Sequence, residues 1–503
     1  MNRYATLAMV AISLAACRTP VITEIRDGKI EGTIADGVTS YKGLPFAAPP
    51  VGDLRWHAPE PVVPWSGVRS AREFAPACMQ NWLVVFLSGG RSGVSEDCLY
   101  LNVWTPTDVP DAKLPVLVYI QGGAFAGGVL ANPTFDGARL AREGNILVVT
   151  IPHRLGALGF LASPELSRET GHGSGTWALQ DIVAGLEWVR DNIGAFGGDP
   201  GNVTLSGQSS GATASLMLAA APPARGLFHR VISESGGAMA PARRNSQEVS
   251  LVPTLALAES EGSAFLASLG ASDLKAAREL KAEDITGAQG LFWPVADGYM
   301  LPDDPAKLYA SREFHDTPIL AGWNADDGLF PPAGTVASFE KSVRETYGPA
   351  ADAILEAYPH TTDAEAAQSN RDLLRDQLFG WPTYALARAQ TAYGRHPAFI
   401  YYLERKTPSA PNGAPHGVEA HFIFGNGVAK EDEETARAMR AYFVNFARTG
   451  DPNGPGLAPW PTYSPTNEQV MGFAPEGVRP YPHLPQLLAL DRYYEWLRTG
   501  VNP

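Results

Sequence analysis

The chain has 503 residues, of which 45% are hydrophobic and 18% are charged, a composition typical of a globular protein with a large core. The formal net charge of −14 argues against binding the phosphate backbone of a nucleic acid, and it gives no reason to expect an anionic polymer as substrate. No cysteine and histidine residues share the spacing of metal ligands, so we expect no metal site and no other cofactor.

The first residues have the features of an export signal. A short, weakly positive start, Asn2-Arg3, precedes the apolar segment Tyr4 to Ala16, which is too short to span a bilayer. The segment ends in Leu14-Ala15-Ala16-Cys17, which resembles a bacterial lipobox and implies cleavage before Cys17 and a lipid on that cysteine. A plain secretory signal cut at the same bond is the alternative. Residues 1–16 are therefore predicted to be a signal peptide.

The two readings of this signal predict different locations. A lipid on Cys17 would anchor the protein to a membrane surface of the bacterial cell envelope, whereas the plain signal predicts a secreted or periplasmic protein. No later segment is long and apolar enough for a transmembrane helix. If Cys17 carries lipid, Cys78 and Cys98 remain as a pair, and an exported chain permits a disulfide that would stabilise the fold by about 3 kcal/mol.

Strand and helix patterns alternate along the chain. The runs typical of strands are Ser95–Trp104, Leu114–Ile120, Ile146–Ile151, Val203–Leu205, Arg230–Ser233, Thr317–Gly322 and Ala398–Leu403. The stretches with helical character are Trp177–Ile193, Ala212–Ala220, Ala238–Pro294, Val336–Gly394 and Glu433–Arg448. This alternation predicts a parallel sheet that helices cover on both faces, with the segment from Val336 to Gly394 as a cap around an entrance.

Two of the turns between these elements carry a chemical pattern. Gly207-Gln208-Ser209-Ser210-Gly211 lies between a strand and a helix, which is the order that a nucleophile elbow needs. Small flanking residues allow the tight turn, and the N–H of Ser210 would face the reaction centre at a helix N-terminus. The Gly-rich turn from Gln121 to Phe125 follows a buried strand and frees backbone N–H groups to face a cavity.

Several segments together resemble the type-B carboxylesterase/cholinesterase family of α/β-hydrolases. They are Ser95–Asn102, Phe196-Gly197-Gly198-Asp199-Pro200 leading into the elbow, and Asp451-Pro452-Asn453 followed by Trp460-Pro461. The resemblance extends from about Val21 to Tyr463. It implies an α/β-hydrolase fold with a large, mostly parallel central sheet, flanking helices and helical cap insertions, in which residues 17–503 form a single catalytic domain.

The resemblance also implies roles for particular residues. Ser209 falls at the nucleophile, His416 at the general base and Asp327 at the acid, in the Ser–acid–His order of α/β-hydrolases. The oxyanion donors would be the backbone N–H groups of Gly123, Ala124 and Ser210. Further pairs that match the family are the disulfide Cys78–Cys98 and the ion pairs Arg55–Glu96 and Arg154–Asp181.

The chain departs from the family pattern at three positions, at one of which Ser88 stands where cholinesterases place a Trp for the choline ammonium. Gln208 stands where cholinesterases have Glu, and Asp327 is one methylene shorter than the usual Glu, so its loop must approach His416 more closely. Asp326 competes with Asp327 by adjacency alone. His421 lies close to His416 but does not match the motif.

The resemblance and the elbow together predict a serine hydrolase that cleaves small-molecule carboxylic esters through an acyl-enzyme intermediate. The chemistry needs no cofactor. Two alternatives remain open at this point: a lipase that acts on longer-chain lipid esters, and a non-catalytic surface binding protein of the same fold.

Overall fold

The computed structural model describes residues 19–81, 85–86, 92–106, 110, 112–245, 248–328, 334–473 and 477–501. The predicted signal peptide, residues 1–16, and the predicted lipidation site, Cys17, lie outside these residues.

The strands fall into one large sheet and one small one. In chain order they are β1 (Thr19–Ile25), β2 (Gly28–Ala35), β3 (Val38–Pro45), β4 (Val68–Ser70), β5 (Ala77–Cys78), β6 (Val94–Ser95), β7 (Tyr100–Thr105), β8 (Leu114–Ile120), β9 (Leu147–Ile151), β10 (Gly198–Gln208), β11 (Arg230–Glu234), β12 (Ile319–Asn324), β13 (Ala398–Leu403), β14 (Gln469–Gly472) and β15 (Val478–Pro480). The large sheet has the order β1-β2-β3-β7-β9-β8-β10-β11-β12-β13-β14-β15, with β4 beside β2, and the small sheet pairs β5 with β6.

The centre of the large sheet is parallel and its margins are antiparallel. Every neighbouring pair from β9 through β8, β10, β11, β12 and β13 to β14 runs parallel. The strands before β9 in the sheet order, and β15 at the other margin, pair antiparallel with their neighbours, apart from the short parallel β2–β4 pair. This arrangement confirms the mostly parallel sheet that the alternating sequence pattern predicts.

Helices flank this sheet and fill the long connections between strands. They are α1 (Ala138–Gly144), α2 (Gly156–Phe160), α3 (Pro164–Thr170), α4 (Trp177–Asn192), α5 (Ser210–Ala219), α6 (Leu255–Ser268), α7 (Leu274–Glu279), α8 (Ala282–Gly287), α9 (Pro305–Ala310), α10 (Val336–Tyr347), α11 (Ala351–Ala357), α12 (Asp363–Arg375), α13 (Trp381–Tyr393), α14 (Val418–Phe424), α15 (Glu433–Thr449) and α16 (Leu484–Thr499). A π-helical turn, Asp376–Gly380, joins α12 to α13.

The alternation of side chains along β8 explains why the strand is apolar throughout. Val116, Val118 and Ile120 belong to the hydrophobic cluster on one face of the sheet. Leu117 and Tyr119 belong to the cluster on the other face, which includes residues of α1, α14 and α15. A parallel strand that helices cover on both faces has no solvated side, so successive residues are all apolar.

The predicted strand Ser95–Trp104 is shorter in the structure and starts later, at Tyr100. The preceding residues are held by other interactions: Glu96 accepts a bidentate hydrogen bond from Arg55, and Cys98 forms a disulfide with Cys78. These fixed contacts occupy the segment that alternation alone assigns to the strand. The predicted Cys78–Cys98 disulfide and Arg55–Glu96 ion pair are therefore both present.

The second predicted ion pair lies in the interior. Arg154 and Asp181 are both buried, and the guanidinium donates to both carboxylate oxygens at 2.7 to 3.2 Å. Such a pair is costly to break because either partner alone would be an uncompensated buried charge.

In the described part of the chain, no helix has the length and apolar character needed to cross a membrane.

Candidate active site

The predicted site residues follow strands that end at the same edge of the sheet. The register pairs Gln208 at the end of β10 with Glu234 at the end of β11, and Glu234 in turn with Gly322 of β12. Ser209 therefore leaves the sheet beside the residues that follow β11 and β12. In open parallel sheets, the carboxyl ends of the strands are where binding and catalytic groups gather.

Ser209 occupies a backbone conformation that side-chain-bearing residues rarely adopt. Its φ of 58° and ψ of −125° lie outside the favoured regions, and its N–H donates to the carbonyl of Glu234 at 2.8 Å. The flanking glycines make this turn possible: a Cβ on Gly207 would lie 2.4 Å from the carbonyl carbon of Gly211, and one on Gly211 would lie 2.2 Å from the carbonyl oxygen of Ile120. The sequence Gly-x-Ser-x-Gly is thus a strained strand-to-helix turn.

Free backbone donors surround this turn. Gly123 and Ala124 have positive φ values of 126° and 54°, and Ser210 is the first residue of α5. Within the described residues, the N–H groups of these three residues have no hydrogen-bond partner. The loop lies close to the elbow, since a Cβ on Gly122 would be 3.1 Å from that of Ser209. These N–H groups are available for a negatively charged oxygen beside Ser209.

Asp327 and His416 are brought together from distant parts of the chain. The Nδ1 atom of His416 lies 2.8 Å from Oδ1 of Asp327, whose side chain is fully buried. The other carboxylate oxygen, Oδ2, accepts from the N–H of Asn324 at 2.6 Å and from the hydroxyl of Ser235 at 2.9 Å. Hydrogen bonds to both oxygens hold the carboxylate in one orientation, and it fixes the Nδ1–H tautomer of His416.

The contact between His416 and the elbow is made by Gln208. The amide nitrogen of Gln208 lies 3.1 Å from Nε2 of His416, and no hydrogen bond between the Ser209 hydroxyl and His416 occurs in the structure. The two competing residues take other positions. Asp326 joins the loop of His416 through its backbone N–H, which donates to Ala414, and His421 is bonded through Nδ1 to the carbonyl of Asn426 at 2.9 Å.

Buried acidic groups set the electrostatics around His416. Burial lowers the pKa of His416, but the hydrogen bond and the charge of Asp327 raise it by more, so the net pKa is above its usual value. Burial and the neighbouring charge of Asp327 raise the pKa of Glu419, which is fully buried. Burial and the neighbouring charge of Glu419 likewise raise the pKa of Glu234 well above its usual value.

An aromatic ring covers the imidazole. Phe379 stacks on His416 with ring centroids 4.9 Å apart and an interplanar angle of 21°. Phe379 lies in the π-helical turn, where Asp376 is bonded to Arg375 and to the hydroxyl of Tyr358. Arg375 also donates to the carbonyl of Ala325, in the loop that carries Asp327. Irregular turns of this kind are frequent at functional sites because they redirect a side chain.

The sequence does not identify Ser235, Asn324 or Phe379 as parts of the site. Ser235 and Asn324 could have been found from their positions, because each lies at the carboxyl end of a central parallel strand. No signal in the sequence points to Phe379, since the π-helical turn interrupts an otherwise ordinary helical pattern. Within the described residues, no group of three or more His, Cys, Asp or Glu side chains is arranged to hold a metal ion.

Comparison with known proteins places this chain in a family. The sequence pattern of the carboxylesterase family matches residues 19–486. The chain belongs to the carboxylesterase family. The esterase is 35% identical to the fumonisin B1 esterase of Sphingopyxis macrogoltabida, over 94% of this chain and 92% of that protein. It is also 35% identical to the para-nitrobenzyl esterase of Bacillus subtilis (strain 168), over 90% of this chain and 94% of that protein.

The fold of the esterase agrees with this membership. A solved structure of a thermophilic PNB esterase superposes with a TM-score of 0.82 and 33% identity, covering 93% of this chain and 99% of that one. The predicted α/β-hydrolase fold is therefore confirmed. These relatives are named as esterases, and the similarity extends over nearly their whole length. The chain is therefore a carboxylic ester hydrolase.

Replacing Phe379 by Leu should lower kcat/KM for a small ester by about three- to tenfold, because the imidazole loses a stacking partner contributing about 0.5–1.5 kcal/mol. The measurement is the initial rate with p-nitrophenyl acetate. Phe339→Leu is the matched control, since Phe339 is also buried but lies on α10 beside His360. Equal rates for the two variants would show that the stacking does not contribute to activity.

Proposed function

We propose that this esterase is a serine hydrolase in which Ser209 is the nucleophile, His416 the general base and Asp327 the acid. The observation that carries the proposal is the 2.8 Å contact between His416 Nδ1 and the buried Asp327, formed at the sheet edge where the strained elbow presents Ser209. A base oriented by a carboxylate beside a serine nucleophile is the arrangement that acyl transfer needs.

The chemistry proceeds in two halves. The Ser209 oxygen attacks the ester carbonyl while His416 Nε2 takes its proton, and Asp327 stabilises the resulting imidazolium through Nδ1–H. The tetrahedral intermediate collapses as His416 returns the proton to the alcohol, leaving an acyl group on Ser209. Water then repeats the sequence, with His416 as base and Ser209 as leaving group, to release the acid.

The negative oxygen of each tetrahedral intermediate would lie against the N–H groups of Gly123, Ala124 and Ser210. Two features support this assignment: these donors have no partner in the described part of the chain, and Ser210 opens α5, where the helix dipole favours negative charge. Each donor of this kind typically contributes about 3 kcal/mol to the transition state.

The substrates we propose are small carboxylic esters. The relatives named para-nitrobenzyl esterase and fumonisin B1 esterase support this class. We further propose that residues 17–503 form one catalytic domain, since the strands of the large sheet come from both ends of that range and meet around the site.

Export with a lipid on Cys17 is also a proposal, and it rests on the lipobox-like sequence Leu14-Ala15-Ala16-Cys17. The acyl chains would hold the esterase at the surface of a membrane in the cell envelope.

Asp327→Asn should lower kcat by about 10⁴-fold, because the amide no longer fixes the tautomer of His416 or stabilises the imidazolium. Asp326→Asn is the matched control and should stay within about twofold of the wild type.

Ser209→Ala should abolish labelling by a fluorophosphonate probe and remove nearly all turnover of p-nitrophenyl acetate. Labelling that persists in Ser209→Ala would contradict the assignment of the nucleophile.

The rate of ester hydrolysis should fall as the pH drops through a value above about 6.5, the usual pKa of imidazole. The sign follows from the raised pKa of His416: the imidazole stays protonated to a higher pH, and a protonated imidazole cannot accept the Ser209 proton. The measurement is kcat/KM between pH 5 and 9. An acid limb below about pH 6.5 would contradict the assignment of His416 as base.

Cys17→Ala should release the esterase from the membrane fraction into the soluble envelope fraction, because the variant cannot carry lipid. The measurement is the mass of the mature N-terminal peptide together with fractionation of cells that express the full chain. An unmodified Cys17 at the mature N-terminus of the wild type would favour the plain secretory signal.

A further inference from the structure

Gln208 touches three parts of the site at once. Its amide nitrogen lies 3.1 Å from His416 Nε2 and 3.4 Å from Oε1 of Glu419. Its amide oxygen lies on the opposite side, 2.7 Å from the position that a Cβ on Gly122 would take. The side chain is buried and comes directly before Ser209, so it connects the base, a buried carboxyl group and the Gly-rich turn.

The hydrogen-bonding partners determine which way the amide points. His416 donates from Nδ1 to Asp327, so Nε2 carries a lone pair and acts as an acceptor. Oε1 of Glu419 is an acceptor as well. The two hydrogens of the Gln208 NH₂ group satisfy both acceptors, whereas the reversed amide would place a third acceptor against them.

The hydrogen bonds among Asp327, Ser235 and Glu419 agree with this orientation of the Gln208 amide. The Ser235 hydroxyl lies 2.9 Å from Oδ2 of Asp327 and 2.9 Å from Oε1 of Glu419, but it has only one proton to donate. If Glu419 is neutral, its own O–H donates to Ser235, and Ser235 donates to the ionised Asp327. Asn324 donates to the second oxygen of Glu419, so both carboxyl oxygens of Glu419 have a hydrogen-bond partner.

We propose that Gln208 is a positioning residue. In the resting esterase its NH₂ group donates a hydrogen bond to the lone pair on Nε2 of His416, and this hydrogen bond must break before His416 can accept the Ser209 proton. The proposal deepens the serine-hydrolase mechanism and rests on it. The structure supports it directly at one point, since the hydrogen bond on Nε2 is made by Gln208 and not by the Ser209 hydroxyl.

A donor at this place has a definite effect on the base. A hydrogen bond to the unprotonated nitrogen stabilises neutral imidazole, and so opposes the effect of Asp327. A carboxylate of the same shape would do the reverse, because it accepts from the imidazolium. The titratable groups that face His416 are Asp327 and Glu419, while Glu234 and the phenols of Tyr119 and Tyr401 lie around Glu419.

The first experiment measures the ¹⁵N chemical shift of His416 Nε2, which reports whether that nitrogen accepts a hydrogen bond. Protein labelled with ¹⁵N-histidine is compared at pH 8.5 as wild type, Ser209→Ala and Gln208→Met, with the His416 signals assigned by their loss in His416→Asn. We expect the Nδ1–H tautomer and an Nε2 shift that is unchanged in Ser209→Ala but moves in Gln208→Met towards that of a nitrogen without a hydrogen bond. A shift that moves in Ser209→Ala and not in Gln208→Met overturns the proposal, as does the Nε2–H tautomer.

The second experiment measures how the reactivity of Ser209 depends on pH. The second-order rate of inactivation by a small fluorophosphonate is measured from pH 5 to 9 in the wild type, Gln208→Met, Gln208→Glu and Gln180→Met. Gln180 is a matched control, because it is buried on α4 with its amide on Thr176. We expect the acid limb to move up by about half a unit to one unit in Gln208→Met and by about one unit or more in Gln208→Glu.

The possible results distinguish a failure of the role of Gln208 from a failure of the serine mechanism. A limb that moves in Gln208→Glu alone reflects only the added charge and overturns the role of the amide, and limbs that coincide with the wild type and with Gln180→Met do the same. If Gln208→Met does not fold, the comparison of the wild type with Ser209→Ala still decides by the Nε2 shift. A wild type that the probe does not label, or labelling that survives in Ser209→Ala, refutes the serine mechanism instead.

Discussion

The site depends on a carboxylate with no contact with solvent. The side chain of Asp327 is fully buried, and an ionised group in that position is stable only if donors surround it. The Nδ1–H of His416, the backbone N–H of Asn324 and the hydroxyl of Ser235 supply them. Because these donors come from a loop after β13, from β12 and from the residue after β11, the charge of Asp327 ties together the ends of three neighbouring strands.

A second constraint is the close approach of backbone to backbone around Ser209. Glycines at positions 122, 207 and 211 lie where a Cβ would come within about 3 Å of neighbouring atoms. The elbow, the Gly-rich turn and the end of β8 are therefore in direct contact. Strain of this kind persists only where the surroundings hold it, and here the hydrogen bond from Ser209 N–H to Glu234 and the start of α5 do so.

The proposed base is confined on each side by a different kind of group. Asp327 holds one ring nitrogen, the Gln208 amide lies on the other, and Phe379 covers a face of the ring. Behind it lies Glu419, whose pKa is raised by burial and by the charge of Asp327, and which is linked to Asp327 through the hydroxyl of Ser235. Cholinesterases have an acidic residue before the nucleophile. This protein has Gln208 at that position, whose amide can act as a hydrogen-bond donor.

Local patterns in the sequence determined the parallel sheet, the elbow around Ser209 and the Gly-rich turn, because buried strands and tight turns restrict residue types over a few neighbouring positions. The pairing of Cys78 with Cys98 followed from resemblance and from the small number of cysteines. Only the tertiary structure decided how Asp327 is held by Ser235 and Asn324, which atom of Gln208 meets His416, and that a π-helical turn brings Phe379 onto the imidazole. These contacts join residues far apart in the chain, and no periodicity or short motif carries the distance or the direction between two such side chains.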